Sequence, residues 1–444
     1  MSSDFKILCC FLKSSGRCWH DKLHDVLKDM GFQPSKAEED IWMRDMDDHY
    51  EYIAVYVDDL MIASRNPQAI ITALENKPNS FKLKGTGPVE FHLGCDFIRD
   101  EDGVLCLQPK KYIERMAQTY ERLFGSMPSR KASSPLEKGD HPELDDSELL
   151  DDGEIKIYQT LIGVLQWTVS LGRFDIAVAV MSMSSYRVAP RRGHLERLKR
   201  ICGYLYKFKD GSLKVRTGIP DYSDLQRVRY DWSRSAYCNA KEEIPEDAPD
   251  AKGPLVRQST YKDANLMHDV MNGRAVSGIL HFLNQFPVDW YAKKQPTVES
   301  ATYGSEFVAG RTAVQQIKAL RITLRYLGVR IEEPSFLFGD NESVVKSSTV
   351  PHSLLSKRHH ALSYHTVREA IAAGIVEFHH IPGTENPADI LSKHWGHAQV
   401  YHHLLKPIMF YRGDTLDLID EPIPEAEQEE EVETTTQTAQ PGQD

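Results

Sequence analysis

The stretch that decides the fold of the first part of this chain is YIAVYVDDLMIAS, residues 52–64. Two short apolar runs, residues 52–57 and 60–63, flank the adjacent acids Asp58 and Asp59. Apolar runs of strand length on either side of a short polar turn are typical of a β-hairpin. The sequence therefore predicts a hairpin with two carboxylates at its tip, where burial would be costly but a divalent cation can be bound.

The residues around this pair decide between two interpretations of it. Adjacent aspartates are common in turns, so the pair alone favours an ordinary solvated turn. Three flanking segments, however, resemble in order the surroundings of the catalytic hairpin of copia-type reverse transcriptases: SGRCWHDKLHDVLKDMGF (15–32), AEEDIWMRD (37–45) and EFHLGCDFIRDEDGVLCLQPKKYIERM (90–116). The resemblance covers nearly all of residues 13–120 and implies that Asp58 and Asp59 are catalytic, metal-binding residues.

The sequence also departs from that family. Two-metal nucleotidyl transfer needs a further carboxylate, which the family supplies from a palm strand well upstream of the hairpin. Asp4 is the only acid before Gly16, and it lacks the family's surrounding motif. The resemblance therefore implies that the fingers and half of the palm are missing, and we expect no polymerase activity from this chain alone. Whether upstream Pol segments exist in a longer product is left open.

Length and composition indicate a globular protein of more than one domain, since 444 residues with 41% hydrophobic content can bury two or three cores. No apolar run approaches the length that spans a bilayer, so no membrane partner is expected. Seven scattered cysteines are too few for a disulfide framework. Cys9, Cys10, Cys18 and His20 lack a second Cys/His pair at finger-like spacing, which disfavours a zinc finger.

The net charge of −12 says little about partners until it is localised. Nine acidic residues and no Lys or Arg lie from Asp420 onward, so the preceding 419 residues carry only −3. A basic amphipathic helix is predicted over residues 193–209, with further arginines just before it. Such a helix can follow phosphates without reading base sequence, although an ordinary solvated helix face would look the same. The side chains predicted to bind a nucleic-acid duplex are Arg191, Arg192, Arg197, Lys199 and Arg200.

Four acids occur in four separate motifs of the C-terminal half: Asp263 in TYKDANLMHD (260–269), Glu306 in ATYGSEFVAG (301–310), Asp340 in FLFGDNESVV (336–345) and Asp389 in GTENPADILSK (383–393). Asp263 is expected to end a strand, Glu306 to open a helix, Asp340 to follow a strand, and Asp389 to start the last helix. Acids at strand ends and helix beginnings can converge at one edge of a sheet, and helix N-termini tolerate negative charge.

Any one of these acids alone is more often a capping or surface residue, but the four together point to metal binding. Crowded carboxylates repel one another, and their pKa values rise unless cations neutralise them. Two ions about 3.5–4 Å apart would do so, and such a pair serves phosphodiester chemistry. Oxygen-only ligands select Mg²⁺ or Mn²⁺ over zinc.

The four motifs, together with DWYAKKQ (289–295), LRYLGV (324–329) and HHALSYHTVREAI (359–371), resemble the ribonuclease H domain of copia-type elements. The resemblance covers almost all of residues 259–396. It implies that Asp263, Glu306, Asp340 and Asp389 hold two Mg²⁺ or Mn²⁺ ions, and that the RNA strand of an RNA–DNA hybrid is cut to leave 5′-phosphate and 3′-hydroxyl ends. Discrimination would rest on 2′-hydroxyl contacts and on hybrid shape.

Some alternatives stay open at this point. His379 or His380, about ten residues before Asp389, either assists proton transfer or product release or has no role. A decayed element that survives as an inert nucleic-acid-binding scaffold is the main rival. An integrase or exonuclease is disfavoured by the order of neighbouring domains. The resemblance implies a cytoplasmic virus-like particle or the nucleus as the location.

These inferences predict an α/β and α+β fold, with a partial reverse transcriptase palm and thumb followed by an RNase H-like mixed-sheet domain. The predicted segments are a truncated palm and thumb portion (1–127), an acidic linker (128–157), a helical thumb or connection region (158–215), a second linker (216–258), the RNase H-like domain (259–396) and a C-terminal extension with an acidic disordered tail (397–444).

Overall fold

A computed structural model describes residues 15–76, 81–331, 334–355, 358–396 and 404–410. Asp4, Cys9, Cys10 and the acidic tail from Glu421 lie outside these residues. The described chain divides into two compact units. The first unit takes its residues from Met1–Val89, Glu243–Val256 and Lys318–Glu333, and the second from Glu90–Glu242, Arg257–Ile317 and Pro334–Asp444. No helix within the described ranges is both long and apolar enough to cross a membrane.

The first unit is a four-stranded antiparallel sheet covered by helices. Its elements are α1 (Ser15–Asp29), β1 (Gln33–Pro34), β2 (Ile41–Asp45), β3 (Tyr50–Tyr56), β4 (Asp59–Ala63) and α2 (Pro67–Asn76), with the strands in sequential order. Leu23 and Leu27 lie on one stripe of α1 and pack with Trp42 and Ile53 of the sheet, because residues three to four apart share a helix face.

The predicted hairpin is present as β3 and β4. Tyr56 pairs with Asp59, so Val57 and Asp58 form a two-residue turn at the tip. Val57 has a φ of +53°, a backbone conformation that a β-branched residue rarely adopts. Asp58 and Asp59 are both exposed, as expected for acids at a hairpin tip.

The second unit contains two five-stranded sheets and most of the helices. The first of these sheets has the order β14-β8-β7-β6-β5, formed by β5 (Phe91–His92), β6 (Cys95–Arg99), β7 (Leu105–Gln108), β8 (Ser212–Lys214) and β14 (Met409–Phe410). Four helices accompany this sheet: α3 (Lys110–Phe124), α4 (Asp152–Ser170), α5 (Ala177–Ser184) and α6 (Arg192–Lys207). Their buried faces meet in one apolar core that includes Ile113, Leu165 and Leu198.

The other sheet of this unit carries the four C-terminal acids. It has the order β11-β10-β9-β12-β13, formed by β9 (Gln258–Asp269), β10 (Arg274–Leu283), β11 (Phe286–Val298), β12 (Ser335–Gly339) and β13 (Val376–His380). The first three strands are antiparallel, whereas β12 runs parallel to both β9 and β13. The helices are α7 (Thr302–Tyr326), α8 (Glu342–Thr349) and α9 (Ala361–Ala372), and 3-10 turns span Gly383–Glu385 and Pro387–Leu391. This mixed sheet with its helices confirms the predicted fold class.

The segment predicted as an acidic linker, residues 128–157, packs as part of the second unit. Leu136 and Leu150 are buried in its core. Asp151 caps α4 by accepting hydrogen bonds from the backbone N–H groups of Gly153 and Glu154, and α4 begins within the predicted linker. Acids of this segment form ion pairs with α6, where Arg197 binds both Asp140 and Asp145. The segment is therefore packed against the helix rather than surrounded by solvent.

The second predicted linker, residues 216–258, has little regular structure and is divided between the units. Glu243–Val256 belongs to the first unit, and the rest makes specific contacts within the second. The ring of Tyr222 lies 4.8 Å from that of Phe336, and Arg227 forms an ion pair with Glu377. The compact units also interrupt the predicted 259–396 domain, since Lys318–Glu333 belongs to the first unit. The domain boundaries were predicted from shifts in composition, which fall in polar stretches. In the structure these stretches are extended chain that packs against the folded units.

Candidate active site

The strand register brings Asp263 and Asp340 to the same edge of the sheet. β9 pairs with β12 only through residues 259–261, with Tyr261 opposite Phe338. Asp340 follows the end of β12, as the sequence predicted. Asp263 does not end its strand, because β9 continues to Asp269 along its other neighbour, β10. It nevertheless lies just past the end of the parallel pairing, so the two carboxylates lie close together.

Glu306 joins this pair from the first turns of α7, as its fifth residue. Its Oε1 accepts a hydrogen bond of 3.2 Å from the backbone N–H of Ala264, which fixes the carboxylate against β9. Asp263, Glu306 and Asp340 each offer a carboxylate oxygen, and these atoms lie within 4.8 Å of one another. Together with Asn341 and Lys393 they line a cavity of about 360 Å³.

Asp389 lies beside this cluster rather than in it. It sits in the 3-10 turn Pro387–Leu391, not at the start of an α-helix. That turn can approach the sheet because Gly278, opposite Asp263, has no side chain: a Cβ there would lie 2.6 Å from the carbonyl oxygen of Ala388. Asp389 Oδ1 accepts a hydrogen bond of 2.8 Å from Lys393 Nζ. The structure thus brings together three of the four predicted acids and holds the fourth against a lysine.

Two lysines in the site were not predicted. Lys262 is completely buried and donates to the Glu306 carboxylate. Lys393 Nζ lies 3.5 Å from Asp263 Oδ2, and Ser392 also donates to that oxygen. The sequence did offer a signal for Lys262, because it is a charged residue next to Asp263 in an otherwise buried strand. A buried ammonium group requires an anionic partner.

The space for Lys262 comes from the neighbouring strand. A Cβ on Gly339 would lie 2.6 Å from Lys262 Cε, so the absence of a side chain at 339 leaves room for the lysine stem. Asn386 Nδ2 donates a hydrogen bond of 3.0 Å to the Lys262 carbonyl oxygen. The lysine is therefore held by its backbone, its stem and its ammonium group.

Burial and mutual repulsion raise the pKa values of three of the acids. Burial raises the pKa of Glu306 to about 7, outweighing the attraction of Lys262. Burial, and then the charge of Asp263, raise the pKa of Asp340, and the same two causes raise that of Asp389 to about 8. Burial alone would lower the pKa of Lys393, but the charges of Asp263 and Asp389 raise it.

The residues present fit a hard divalent cation. The cluster offers only oxygen ligands, and the neighbouring acids add to burial in raising the pKa values of Glu306 and Asp340. Four carboxylates against two ammonium groups leave a formal charge of about −2 around the cavity. Asp263, Glu306 and Asp340 are the side chains that would hold an ion there.

The hairpin acids are not part of a comparable cluster. Among the described residues, groups of three metal-type ligands occur only around Asp263 and around His20, and neither contains Asp58 or Asp59. The two hairpin acids thus have no third carboxylate near them in the described part of the chain.

The basic side chains predicted to bind a duplex are bound within the second unit. Arg197 forms a bidentate pair with Asp140 at 2.8 Å and contacts Asp145 at 2.6 Å. Arg192 pairs with Glu154, Lys199 with Glu196, and Arg200 with Glu137. Arg191 donates to the Ser147 carbonyl oxygen. Duplex binding by these residues stays a prediction, and it would require them to exchange carboxylates for phosphates.

The two histidines near Asp389 have different surroundings. His380 Nε2 lies 3.0 Å from the carbonyl oxygen of Asp340, which places its ring next to the cluster. His379 points to the other side of β13, where it is buried and stacks on Phe336. Of the two, His380 is the one positioned to act near the cavity.

Comparison with known proteins identifies relatives that cover much of the chain. The family described as reverse transcriptase (RNA-dependent DNA polymerase) matches residues 8–128. The retrovirus-related Pol polyprotein from transposon RE1 of Arabidopsis thaliana is 23% identical over 383 residues, covering 86% of this chain and 23% of that protein. The putative transposon Ty5-1 protein of Saccharomyces cerevisiae is 29% identical over 247 residues, covering 55% of this chain and 74% of that protein.

Solved structures match part of the chain. The crystal structure of RNase H1 from Halobacterium salinarum is 17% identical, with a TM-score of 0.25, and the match covers 31% of this chain and 94% of that one. The present chain spans about a quarter of the length of the RE1 polyprotein. In sequence the chain is similar to retrotransposon Pol polyproteins, and a copia-type origin fits these matches.

Proposed function

We propose that residues 259–396 form a divalent-metal-dependent ribonuclease H that cuts the RNA strand of RNA–DNA hybrids. The observation that carries this proposal is the convergence of Asp263, Glu306 and Asp340, whose ligand atoms lie within 4.8 Å of one another. A protein that binds no metal gains nothing from crowding three partly buried carboxylates, because their repulsion destabilises the fold.

Each side chain has a distinct role in this proposal. Asp263, Glu306 and Asp340 hold Mg²⁺ or Mn²⁺, and Ser392 and Ala264 orient the first two by hydrogen bonds. Lewis acidity toward a phosphodiester oxygen and neutralisation of charge are what a bound ion supplies. Asp389 and Lys393 form a hydrogen-bonded ion pair at the edge of the site, and His380 lies beside Asp340. The Lys393 ammonium group is also positioned to meet a phosphate.

The number of ions is part of the proposal. The formal charge of about −2 is balanced by one divalent ion in the free protein, whereas two ions would leave excess positive charge. An RNA phosphate brings the further negative charge that a second ion needs. We therefore propose one ion in the free protein and the second with bound hybrid.

The test is a cleavage assay with a labelled RNA–DNA hybrid beside matched double-stranded RNA and double-stranded DNA. The wild-type chain should cut only the RNA of the hybrid, with Mg²⁺ or Mn²⁺, and chelator should stop it. Asp340→Asn should remove nearly all activity, on the order of 10³-fold, since it deletes a ligand charge at the reacting phosphate.

Glu342→Gln is the matched control. Glu342 is an exposed acid two residues from Asp340, and it forms an ion pair with Lys346. Its activity should stay within about twofold of wild type. A folded wild-type chain that cuts none of the three duplexes would instead support the inert-scaffold alternative. Cleavage that persists in Asp340→Asn would mean that the active site lies elsewhere.

A further inference from the structure

A second group of side chains that could bind a metal lies in the first unit, and none of them takes part in the proposed nuclease site. His20 and His24 are four residues apart on α1, so both rings leave the same face of the helix. Asp40 lies just before β2 and reaches the same point from the sheet. One ligand atom from each of the three residues lies within 4.8 Å of the other two.

The contacts among these three residues are more typical of a metal site than of a chance cluster on the surface. His20 Nε2 lies 3.1 Å from Asp40 Oδ1, and the two imidazole centroids are 3.8 Å apart. The His24 ring is fixed from behind by Trp42, at 4.6 Å between centroids. Its Nε2 is buried and has no hydrogen-bond partner among the described residues. A buried imidazole nitrogen without a partner costs free energy unless something binds it.

We propose that His20, His24 and Asp40 bind a transition-metal ion of the Zn²⁺ class, with a fourth position open to water. Two imidazoles and one carboxylate are ligands that Zn²⁺ accepts in four-coordinate sites, whereas Mg²⁺ prefers oxygen alone. The ion would join α1 to the start of β2 across a polypeptide loop of 15 to 20 residues. This proposal does not depend on the proposed nuclease function.

The buried Nε2 of His24 supports the assignment, because an imidazole nitrogen without a hydrogen-bond partner is available to bind a metal. The ordinary alternative is a His20–Asp40 ion pair beside a packed His24, and it leaves the buried His24 Nε2 unexplained.

Cobalt provides a direct probe. The full chain, with its cysteines kept reduced, is titrated with Co²⁺ in excess Mg²⁺, which occupies the carboxylate cluster of the second unit. Four-coordinate Co²⁺ with imidazole ligands should give intense visible d–d bands that saturate at one equivalent, and Zn²⁺ should displace them because it binds such sites more tightly. His20→Ala, His24→Ala and Asp40→Asn should each weaken Co²⁺ binding more than about tenfold.

His49→Ala is the matched control, because His49 pairs with Asp48 in the same unit without a second imidazole beside it. It should bind Co²⁺ like wild type. His20 is partly exposed, so His20→Ala should fold even where loss of the His24 ring disturbs Trp42. Unchanged bands in both His20→Ala and Asp40→Asn would overturn the proposal. A thiolate-to-cobalt charge-transfer band, or no band at millimolar Co²⁺, would overturn it as well.

Discussion

Among the individual residues, Lys262 has the largest influence on the metal-free site. Its ammonium group is buried against Glu306, and its removal would leave a buried carboxylate with two acidic neighbours. Breaking a buried pair by removing one partner costs far more than the pair contributes, because the remaining charge has neither water nor a counter-ion. Lys262 therefore acts as a resident cation that keeps the acids together before any metal binds.

Lys262→Met should lower the free energy of unfolding of the metal-free protein by about 3–5 kcal/mol. Urea unfolding at pH 8 with chelator measures this change. Adding Glu306→Gln should recover much of the loss, since the double variant buries no charge at this position. Lys346→Met, which breaks an exposed pair, should cost less than about 1 kcal/mol. Equal losses in Lys262→Met and Lys346→Met would show that the buried pair contributes nothing.

The raised pKa values of the acids make the metal-free stability depend on pH. Glu306, near 7, and Asp389, near 8, hold protons in the folded protein that the unfolded chain has already released. The free energy of unfolding must therefore fall as pH rises from about 4, the pKa of these acids in the unfolded chain, through their pKa values in the folded protein. Buried His268 and His394, with pKa values lowered to about 4 and about 3, oppose this trend only below about pH 6.5.

Between pH 6.5 and 8, the metal-free protein should lose at least about 1 kcal/mol, which lowers Tm by roughly 2–4 °C. Thermal melts with chelator measure the loss. With saturating Mn²⁺ the Tm should depend less on pH, because the ion neutralises the deprotonated acids. A metal-free Tm that rises over this interval would contradict the assignment of protonated acids to the folded state.

Among the elements, helix α6 owes its position to its pairing with the segment before α4. Arg197 is mostly buried and binds Asp140 and Asp145 at once, whereas Arg200 makes a more exposed contact with Glu137. Basic residues on a helix predicted phosphate binding, but acids that are distant in sequence satisfy them. A charge pattern read along one helix cannot reveal such a partner, because the partner is brought near only by the fold.

Arg197→Met should destabilise the protein by about 3 kcal/mol and make residues 137–147 more sensitive to limited proteolysis. Arg200→Met should cost less than about 1 kcal/mol and leave the cleavage pattern unchanged. Equal stability and equal cleavage patterns in Arg197→Met and Arg200→Met would contradict the structural role of Arg197. A loss of affinity for an RNA–DNA hybrid in either folded variant would support the phosphate contacts that the sequence predicts.

How far the sequence predicted these elements depends on the kind of signal. The hairpin of Asp58 and Asp59 and the strand before Asp340 were predictable, because each is a short apolar run with a clear end. The length of β9 was not, since KDANLMHD lacks the alternation of a half-buried strand. β10 nevertheless pairs with β9 as far as Asp269, with a register shift between Asn265 and Asp269. The turn that carries Asp389 depends on Gly278, more than one hundred residues earlier, which no local pattern indicates.

At the scale of the whole molecule, the two acidic sites differ in completeness. The four C-terminal acids come from four places in one sheet-and-helix unit: β9, α7, the end of β12 and the turn Pro387–Leu391. Asp58 and Asp59 come from a single hairpin, and the described chain brings no further acid to them. Within the described residues, the two hairpin acids therefore have no third ligand atom within 4.8 Å, whereas Asp263 has two acidic partners at that distance.

The purified chain should not extend a primer on an RNA or DNA template with either Mg²⁺ or Mn²⁺. Incorporation of labelled nucleotides over hours measures this, and hybrid cleavage by the same preparation shows that the protein is folded. Incorporation that is lost in Asp58→Asn would contradict the prediction and would mean that another acid completes the hairpin site.

The contact between Gly339 and Lys262 has a consequence for how this sequence can change over time. With the lysine stem in place, a first carbon at 339 would overlap it at 2.6 Å, so the two positions cannot vary independently. A lineage must shorten residue 262 before it can gain a side chain at 339. The reverse order passes through a chain in which the new side chain at 339 and the lysine stem overlap. The effect of a substitution at 339 therefore depends on which residue stands at 262.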